Sequence, residues 1–298
     1  MKKVIYFCLL LIFMITVDII GQSAGTLVHH DNIESEFVDA RNVDVWLPEG
    51  YSGSEGKQFP VIYMQDGQNL FIADSANIGE EWGVDEAVTK LVKNRKIPEV
   101  IVVGIWNTPK RYQEYMPEKP FNSLSRKTKS GLKKKFGGIP VSDNYLKFMV
   151  DELKPFIDSV YRTKPDRQNT YAMGSSMGGL ISIYALCEYP QFFRGAGCLS
   201  THWVGDPDVE PHEVSEAFVT YLTESLPDPG GHLIYFDYGT ASLDSIYQPH
   251  QHKIDRIMMD KGYRVGMDWM TKKYDGHEHN EIYWRKRLEV PLIFLLEE

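Results

Sequence analysis

Ser176 stands in the run Gly174-Ser175-Ser176-Met177-Gly178, which fits Gly-x-Ser-x-Gly and is followed by Gly179. Apolar residues 170–173 lead into it, and small and apolar residues 178–188 leave it at helical spacing. The chemistry this suggests is nucleophilic attack on an acyl carbon. A sharp strand-to-helix turn lifts a serine oxygen clear of a sheet, and the glycines permit both the strained backbone and close helix packing. The amide of Met177 then points from a helix N-terminus at the site where negative charge develops on oxygen. A second such donor is expected after an early buried strand, in Tyr63-Met64-Gln65-Asp66-Gly67-Gln68-Asn69. There Gly67 allows close backbone approach, and the amide of Gln68 is the candidate.

A serine hydroxyl needs a general base, and the base needs a carboxylate to orient it. With a nucleophile on such a turn, the chain order is Ser, then Asp or Glu, then His. The base is therefore sought beyond the last strand, in Asp275-Gly276-His277-Glu278-His279-Asn280, where His277 and His279 are both available. The other seven histidines have no such placement. A zinc reading of His277-x-His279 has no His-Glu-x-x-His helix to support it, so no metal is expected. For the acid, residues 232–238 read as a strand ending in Asp237-Tyr238-Gly239-Thr240-Ala241-Ser242-Leu243-Asp244. Asp244, past the strand end, is the first choice and Asp237, still within the strand, the second.

These residues need a frame. Short β-branched runs occur at 43–47, 60–64, 100–106, 170–173, 195–199, 232–238 and 265–272. Helical patterns lie between them at 83–93, 143–160, 178–188, 215–225 and 249–261. The alternation predicts one α/β domain over 25–298, with a mostly parallel sheet and helices on both faces. The runs before Pro60 are expected to form an antiparallel edge. Tyr145, Phe148, Met149, Leu153, Phe156, Ile157 and Val160 make the best apolar stripe, which Pro155 should kink. Residues 107–140 carry no clear period and read as a long loop or lid after the fourth strand. Loops after parallel strands lie on the ligand side of a sheet, so Trp106, Tyr112, Tyr115 and Trp203 are expected to line the cleft.

The 298 residues are 43% hydrophobic and 24% charged, with a formal net charge of −9. That is globular composition with nothing directed at nucleic acid. Lys2 and Lys3 precede an apolar run over 4–17 and then small and polar residues. The apolar run is too short to span a membrane, so the segment reads as a signal peptide over 1–24 and predicts a secreted or periplasmic protein. Beyond it only Cys187 and Cys198 remain, both in apolar stretches, and they read as core residues rather than a disulfide.

At these residues the chain resembles the putative-esterase family of α/β-hydrolases, which includes esterase D, feruloyl and acetyl xylan esterases, enterochelin esterases and mycolyltransferases. The likeness runs from about Val43 to Leu296. Gly174–Gly179 is similar to the nucleophile motif, and Met64-Gln65-Asp66-Gly67-Gln68-Asn69-Leu70-Phe71 to the oxyanion segment. His279 with Trp284, Arg285 and Leu288 resembles the closing His-x-x-x-x-Trp-Arg motif, which favours His279 over His277. The resemblance implies an α/β-hydrolase fold and a cofactor-free serine esterase. Its substrate would be a small-molecule or oligosaccharide ester, of acetyl or feruloyl type. The basic residues between Arg126 and Lys135 motivate an alternative, an anionic siderophore trilactone. A non-catalytic binding protein on the same scaffold is the alternative of another class.

Overall fold

The computed structural model describes residues 25–297 apart from Ser54. The expected signal peptide lies outside the described residues. Eight strands form one sheet: β1 (Gly25–Ile33), β2 (Arg41–Pro48), β3 (Val61–Gln65), β4 (Ile101–Ile105), β5 (Thr170–Ser175), β6 (Gly195–Leu199), β7 (Leu233–Gly239) and β8 (Trp269–Tyr274). Their order is β1-β2-β4-β3-β5-β6-β7-β8. β1 and β2 form the antiparallel edge, and the strands from β4 to β8 are mutually parallel. This is the expected α/β-hydrolase-type sheet. β1 was not legible: the polar run His29, His30, Asp31 and Asn32 interrupts it, and its half-buried residues do not alternate. β8 begins later than the apolar run suggests, because Gly266 (φ +78°) turns the chain and Val265 is exposed.

The helices are α1 (Val84–Lys93), α2 (Arg111–Tyr115), α3 (Glu118–Ser123), α4 (Arg126–Phe136), α5 (Ser142–Lys147) and α6 (Lys154–Val160). After β5 come α7 (Met177–Glu188), α8 (Pro211–Ser225), α9 (Gln248–Asp260), α10 (Glu281–Arg287) and α11 (Glu289–Leu296). Side chains alternate across the sheet with the strand period of two. Val61 and Tyr63 of β3 join a core with Leu146, Leu180, Phe218 and Ile254. Ile62 and Met64 join the opposite core with Val84, Val88, Leu292 and Leu295. The expected kink before Pro155 is a π-helical stretch, Phe148–Leu153, between α5 and α6. The proline ring crowds the carbonyl four residues earlier, and the wider turn relieves that crowding.

Residues 107–140 correct the expectation of an irregular loop, since α2, α3 and α4 lie within them. In α4 only Thr128, Leu132 and Phe136 are buried, at a spacing of four, among lysines that mask the stripe. Ser125 caps its start by accepting from the Thr128 amide, and Gly137 ends it at φ +73°.

β3 lies between β4 and β5, so the winding of the chain reverses there. A parallel sheet leaves its crevice at such a switch point, outside the C-terminal strand ends. Gly67 follows β3 there and Ser176 follows β5.

Candidate active site

Ser176 is the single residue between β5 and α7, with φ +56° and ψ −122°. Its amide donates to Leu199 O (2.9 Å), tying the turn to β6, and its carbonyl accepts from Gly179 and Leu180. A Cβ on Gly174 would lie 2.8 Å from the Gly178 backbone, so the strand end can touch the helix start only as glycine. With Gly179 and Leu180 bonded to Ser176 O, the Met177 and Gly178 amides at the helix start are left without an intrahelical acceptor.

Across the switch point, Asp66 (φ +59°) starts a 3₁₀ turn, Gly67–Asn69. A Cβ on Gly67 would lie 2.4 Å from the Gly104 carbonyl carbon, so the turn is pressed onto β4. The Asp66 carboxylate accepts two hydrogen bonds from Arg111 (both 2.7 Å) and one from Asn107 (2.6 Å). Asn107 also donates its amide to Gln68 Oε1 (3.2 Å). Asp66 and Arg111 thus clamp the turn that carries Gln68. Arg111 lies in α2, and no local pattern links it to an aspartate 45 residues away.

The third element is a corner of two loops. Thr240 and Ala241 donate their amides to His277 O (3.1 and 3.0 Å), Gly276 to Thr240 Oγ1 (2.8 Å) and His279 to Ser242 Oγ (2.9 Å). These bonds carry the His279 ring to Asp244, where Nδ1 and Oδ1 lie 2.5 Å apart. Asp244 Oδ2 accepts from Ser200 Oγ and from the Gly239 amide (both 2.6 Å). Burial pushes the Asp244 carboxyl up, but the His279 hydrogen bond and charge, with those from Ser200 and Gly239, hold it below its ordinary value. Trp284 and Tyr247 meet the His279 ring edge-to-face at 5.0 and 5.7 Å.

The alternatives separate cleanly. The His277 ring stacks on Tyr274 (5.2 Å) and packs on Tyr283, away from the carboxylate. Asp237 faces Arg287 (3.1 Å), Ser200 N (2.9 Å) and Tyr235 OH (3.0 Å), and no histidine. Burial pushes Asp237 up, and the Arg287 guanidinium opposes that without reversing it. A second histidine, His202, for which the sequence suggests no such role, neighbours both Ser176 and His279. Its amide donates to Ser176 O (3.3 Å), and its ring stands 6.4 Å from that of His279. Nε2 must donate to the Gly205 carbonyl, which leaves Nδ1 to accept from Tyr247 OH (2.5 Å). Burial and the nearby His279 lower its pKa to about 4, so the ring is neutral.

The expected cleft aromatics fare unevenly. Trp203 is 1% exposed, donates to Gln251 Oε1 (2.9 Å) and packs on Phe218 and Phe236, so it belongs to the core. Tyr115 is fully buried, and its hydroxyl accepts from the Asp66 amide (3.3 Å). Trp203 is thus drawn into the core beneath α8, and Tyr115 is the buried end of α2, packed on Tyr145. Trp106 is half-buried, with its indole N–H on Asp44 (2.6 Å). Tyr112 is 47% exposed and stacks on Phe136. Cys187 and Cys198 are both buried and free. Among the described residues no three His, Cys, Asp or Glu could hold a metal, and no helix is long and apolar enough to cross a membrane.

A serine on a strained strand-to-helix turn, a glycine-containing turn and a carboxylate–imidazole pair thus all lie at the C-terminal ends of the parallel strands, and these are the parts that acyl transfer needs. Residues 35–295 match the family described as "Putative esterase", and the chain belongs to that family. A relative in Bacillus subtilis, "Uncharacterized protein YbbA", is 30% identical over 55% of this chain and 58% of its own length. The "Endo-1,4-beta-xylanase/feruloyl esterase" of Xylanibacter ruminicola is 26% identical over 63% of this chain. The chain spans only 21% of that protein. Among solved structures, a ferulic acid esterase superposes with a TM-score of 0.65 at 20% identity, covering 91% of this chain and 98% of its own. The ferric enterobactin esterase of Salmonella typhimurium gives 0.64 at 19%, covering 92% and 59%. At these identities the superpositions speak for the fold.

Proposed function

We propose that this chain hydrolyses carboxylic esters through a covalent acyl-enzyme on Ser176. The observation that carries the reading is the 2.5 Å contact of His279 Nδ1 with the buried Asp244 carboxylate, at the sheet end that bears the Ser176 turn. With Nδ1–H held by Asp244, Nε2 is the nitrogen left to act as base. Ser176 Oγ attacks the ester carbonyl while its proton passes to Nε2, and the Met177 and Gln68 amides receive the developing oxyanion. The proton then goes to the departing alcohol. Water, deprotonated by the same nitrogen, attacks the acyl carbon; the bond to Ser176 Oγ breaks, Nε2 returns the proton to that oxygen, and the carboxylic acid leaves.

For the substrate, we infer an acyl ester of a carbohydrate, of acetyl or feruloyl type. The feruloyl esterase relative and the ferulic acid esterase fold support this reading. The leader pattern adds export, to where acylated polysaccharides are met. A trilactone reading leans on the enterobactin esterase likeness and on the basic α4. Part of that basic charge is answered within the chain: Lys127 pairs with Glu210 (2.6 Å), and Lys135 with Asp206 and Asp208 (3.4 and 3.1 Å).

The test is labelling by a fluorophosphonate, followed by rates on acetylated and feruloylated xylo-oligosaccharides against a catecholate trilactone. Labelling at Ser176 and faster turnover of the xylo-oligosaccharides are expected. Absence of labelling would return the chain to a binding role, and a strong preference for the trilactone would overturn the carbohydrate assignment.

A further inference from the structure

Ser200 is the first residue beyond β6, at φ +42°, and it is fully buried. Its hydroxyl has one proton to give and two lone pairs to fill. Trp284 Nε1 (3.0 Å) and Arg287 Nη2 (2.5 Å) both point at Ser200 Oγ, and neither group can accept a hydrogen bond. Both lone pairs are therefore occupied, and the remaining partner, Asp244 Oδ2 at 2.6 Å, must receive the proton. The direction of this bond is forced by its surroundings. The backbone beneath it is pinned as well, because the Ser200 amide donates to Asp237 Oδ1 (2.9 Å), the oxygen that Arg287 also contacts.

We propose that Ser200 is a positioning residue for the acid–base pair: locked as a donor by Trp284 and Arg287, it holds Asp244 Oδ2 so that Oδ1 faces His279. A carboxylate turns easily about its terminal bond, which is broad and two-fold. The Gly239 amide alone is one tether, and Ser200 makes it two, on the oxygen that does not meet the imidazole. Arg287 lies 3.1 Å from Asp237 and 3.7 Å from Asp244 and places a positive charge between two buried carboxylates. Without it their mutual repulsion would favour protonating one of them. Trp284 links the same hub to the base, since its indole both donates to Ser200 and packs on the His279 ring. None of this was visible in the sequence, where Ser200 is one small polar residue after a strand.

The inference rests on the reading of Asp244 and His279 as acid and base, so the experiment measures both. Hydrolysis of p-nitrophenyl acetate and thermal melting would be followed for Ser200→Gly, Asp244→Ala, the double variant and Ser176→Ala. Glycine suits the positive φ, so the backbone need not move. Ser200→Gly should lower kcat about ten- to a hundred-fold with KM unchanged, the scale of one charge-assisted hydrogen bond. On top of Asp244→Ala it should cost less than about two-fold, because nothing is left to position. A full additional loss in the double variant, or a wild-type kcat for Ser200→Gly, would overturn the proposal. Should Ser200→Gly fail to fold, Trp284→Phe removes one locking donor while keeping a ring on His279. It should lower kcat about two- to five-fold and again lose its effect in the Asp244→Ala background. Wild-type activity in Ser176→Ala and Asp244→Ala would instead sink the underlying triad reading, whatever Ser200 does.

Discussion

The turn at Ser176 is made by consecutive residues and fixed by backbone sterics. A positive φ, two glycines in mutual contact and one hydrogen bond from the Ser176 amide to β6 account for it. The corner at Asp244 and His279 draws on the ends of β6 and β7, the loop after β8 and helix α10. It is fixed by buried hydrogen bonds between side chains. The difference teaches how each can fail. A steric turn tolerates no added atom but needs no distant partner. A polar network tolerates changes of shape, yet each lost partner leaves a buried group unpaired.

The largest effects should separate proposed reacting groups from their immediate neighbours. Ser176→Ala and His279→Ala are each expected to lower kcat on an activated ester by about four orders of magnitude or more. Ser175→Ala, in the strand just before the turn, and His277→Ala, whose ring lies on Tyr274 and Tyr283, should keep most activity. Steady-state rates of the four variants at one pH decide this. Equal losses within either pair would break the assignment.

The next contrast lies within the corner. Asp244→Asn should lower kcat by roughly two to four orders, because the amide presents the wrong group to Nδ1. Asp237→Asn should act mainly on folding, since Asp237 answers the buried Arg287. A destabilisation of about 3 kcal/mol is the scale of a broken buried ion pair. Denaturant melts beside rates would read both, and a crippled Asp237→Asn with a harmless Asp244→Asn would reverse the roles.

The same contrast explains what was legible in the sequence. Steric devices leave local marks: Gly174, Gly178 and Gly67 flank the turns they permit, and the strands that feed them read as apolar runs. Asp244 and His279 are suggested by chain order and by their places past strand ends, and the closing motif favours His279 over His277. The hub of Ser200 and Arg287 and the clamp of Asp66 and Arg111 join residues far apart in sequence, and no spacing rule reaches across them. Helix α4 fails for a different reason. Three buried positions among six basic ones do not make a stripe, although the Ser125 cap and the Gly137 stop were in plain view.

The smallest effect concerns His202, the buried ring between the turn and the corner. It is held neutral, with its pKa lowered from 6.5 to about 4, first by burial and then by His279. Between those values the unfolded chain carries a proton on this ring that the folded protein excludes. The unfolded state therefore binds more protons there, and stability falls as the pH falls from about 6.5 toward 4. This one group can account for at most roughly 3 kcal/mol. Burial also lowers His30, His232 and His250, so acid sensitivity of the wild type alone does not isolate it. His202→Gln does, since an amide can donate to Gly205 O and accept from Tyr247 while never taking up a proton. The variant should melt close to the wild type at pH 7 and lose less Tm between pH 7 and pH 4.5. Parallel pH slopes in the two proteins would mean that His202 is not kept neutral, and that the ring beside the proposed base can itself become charged.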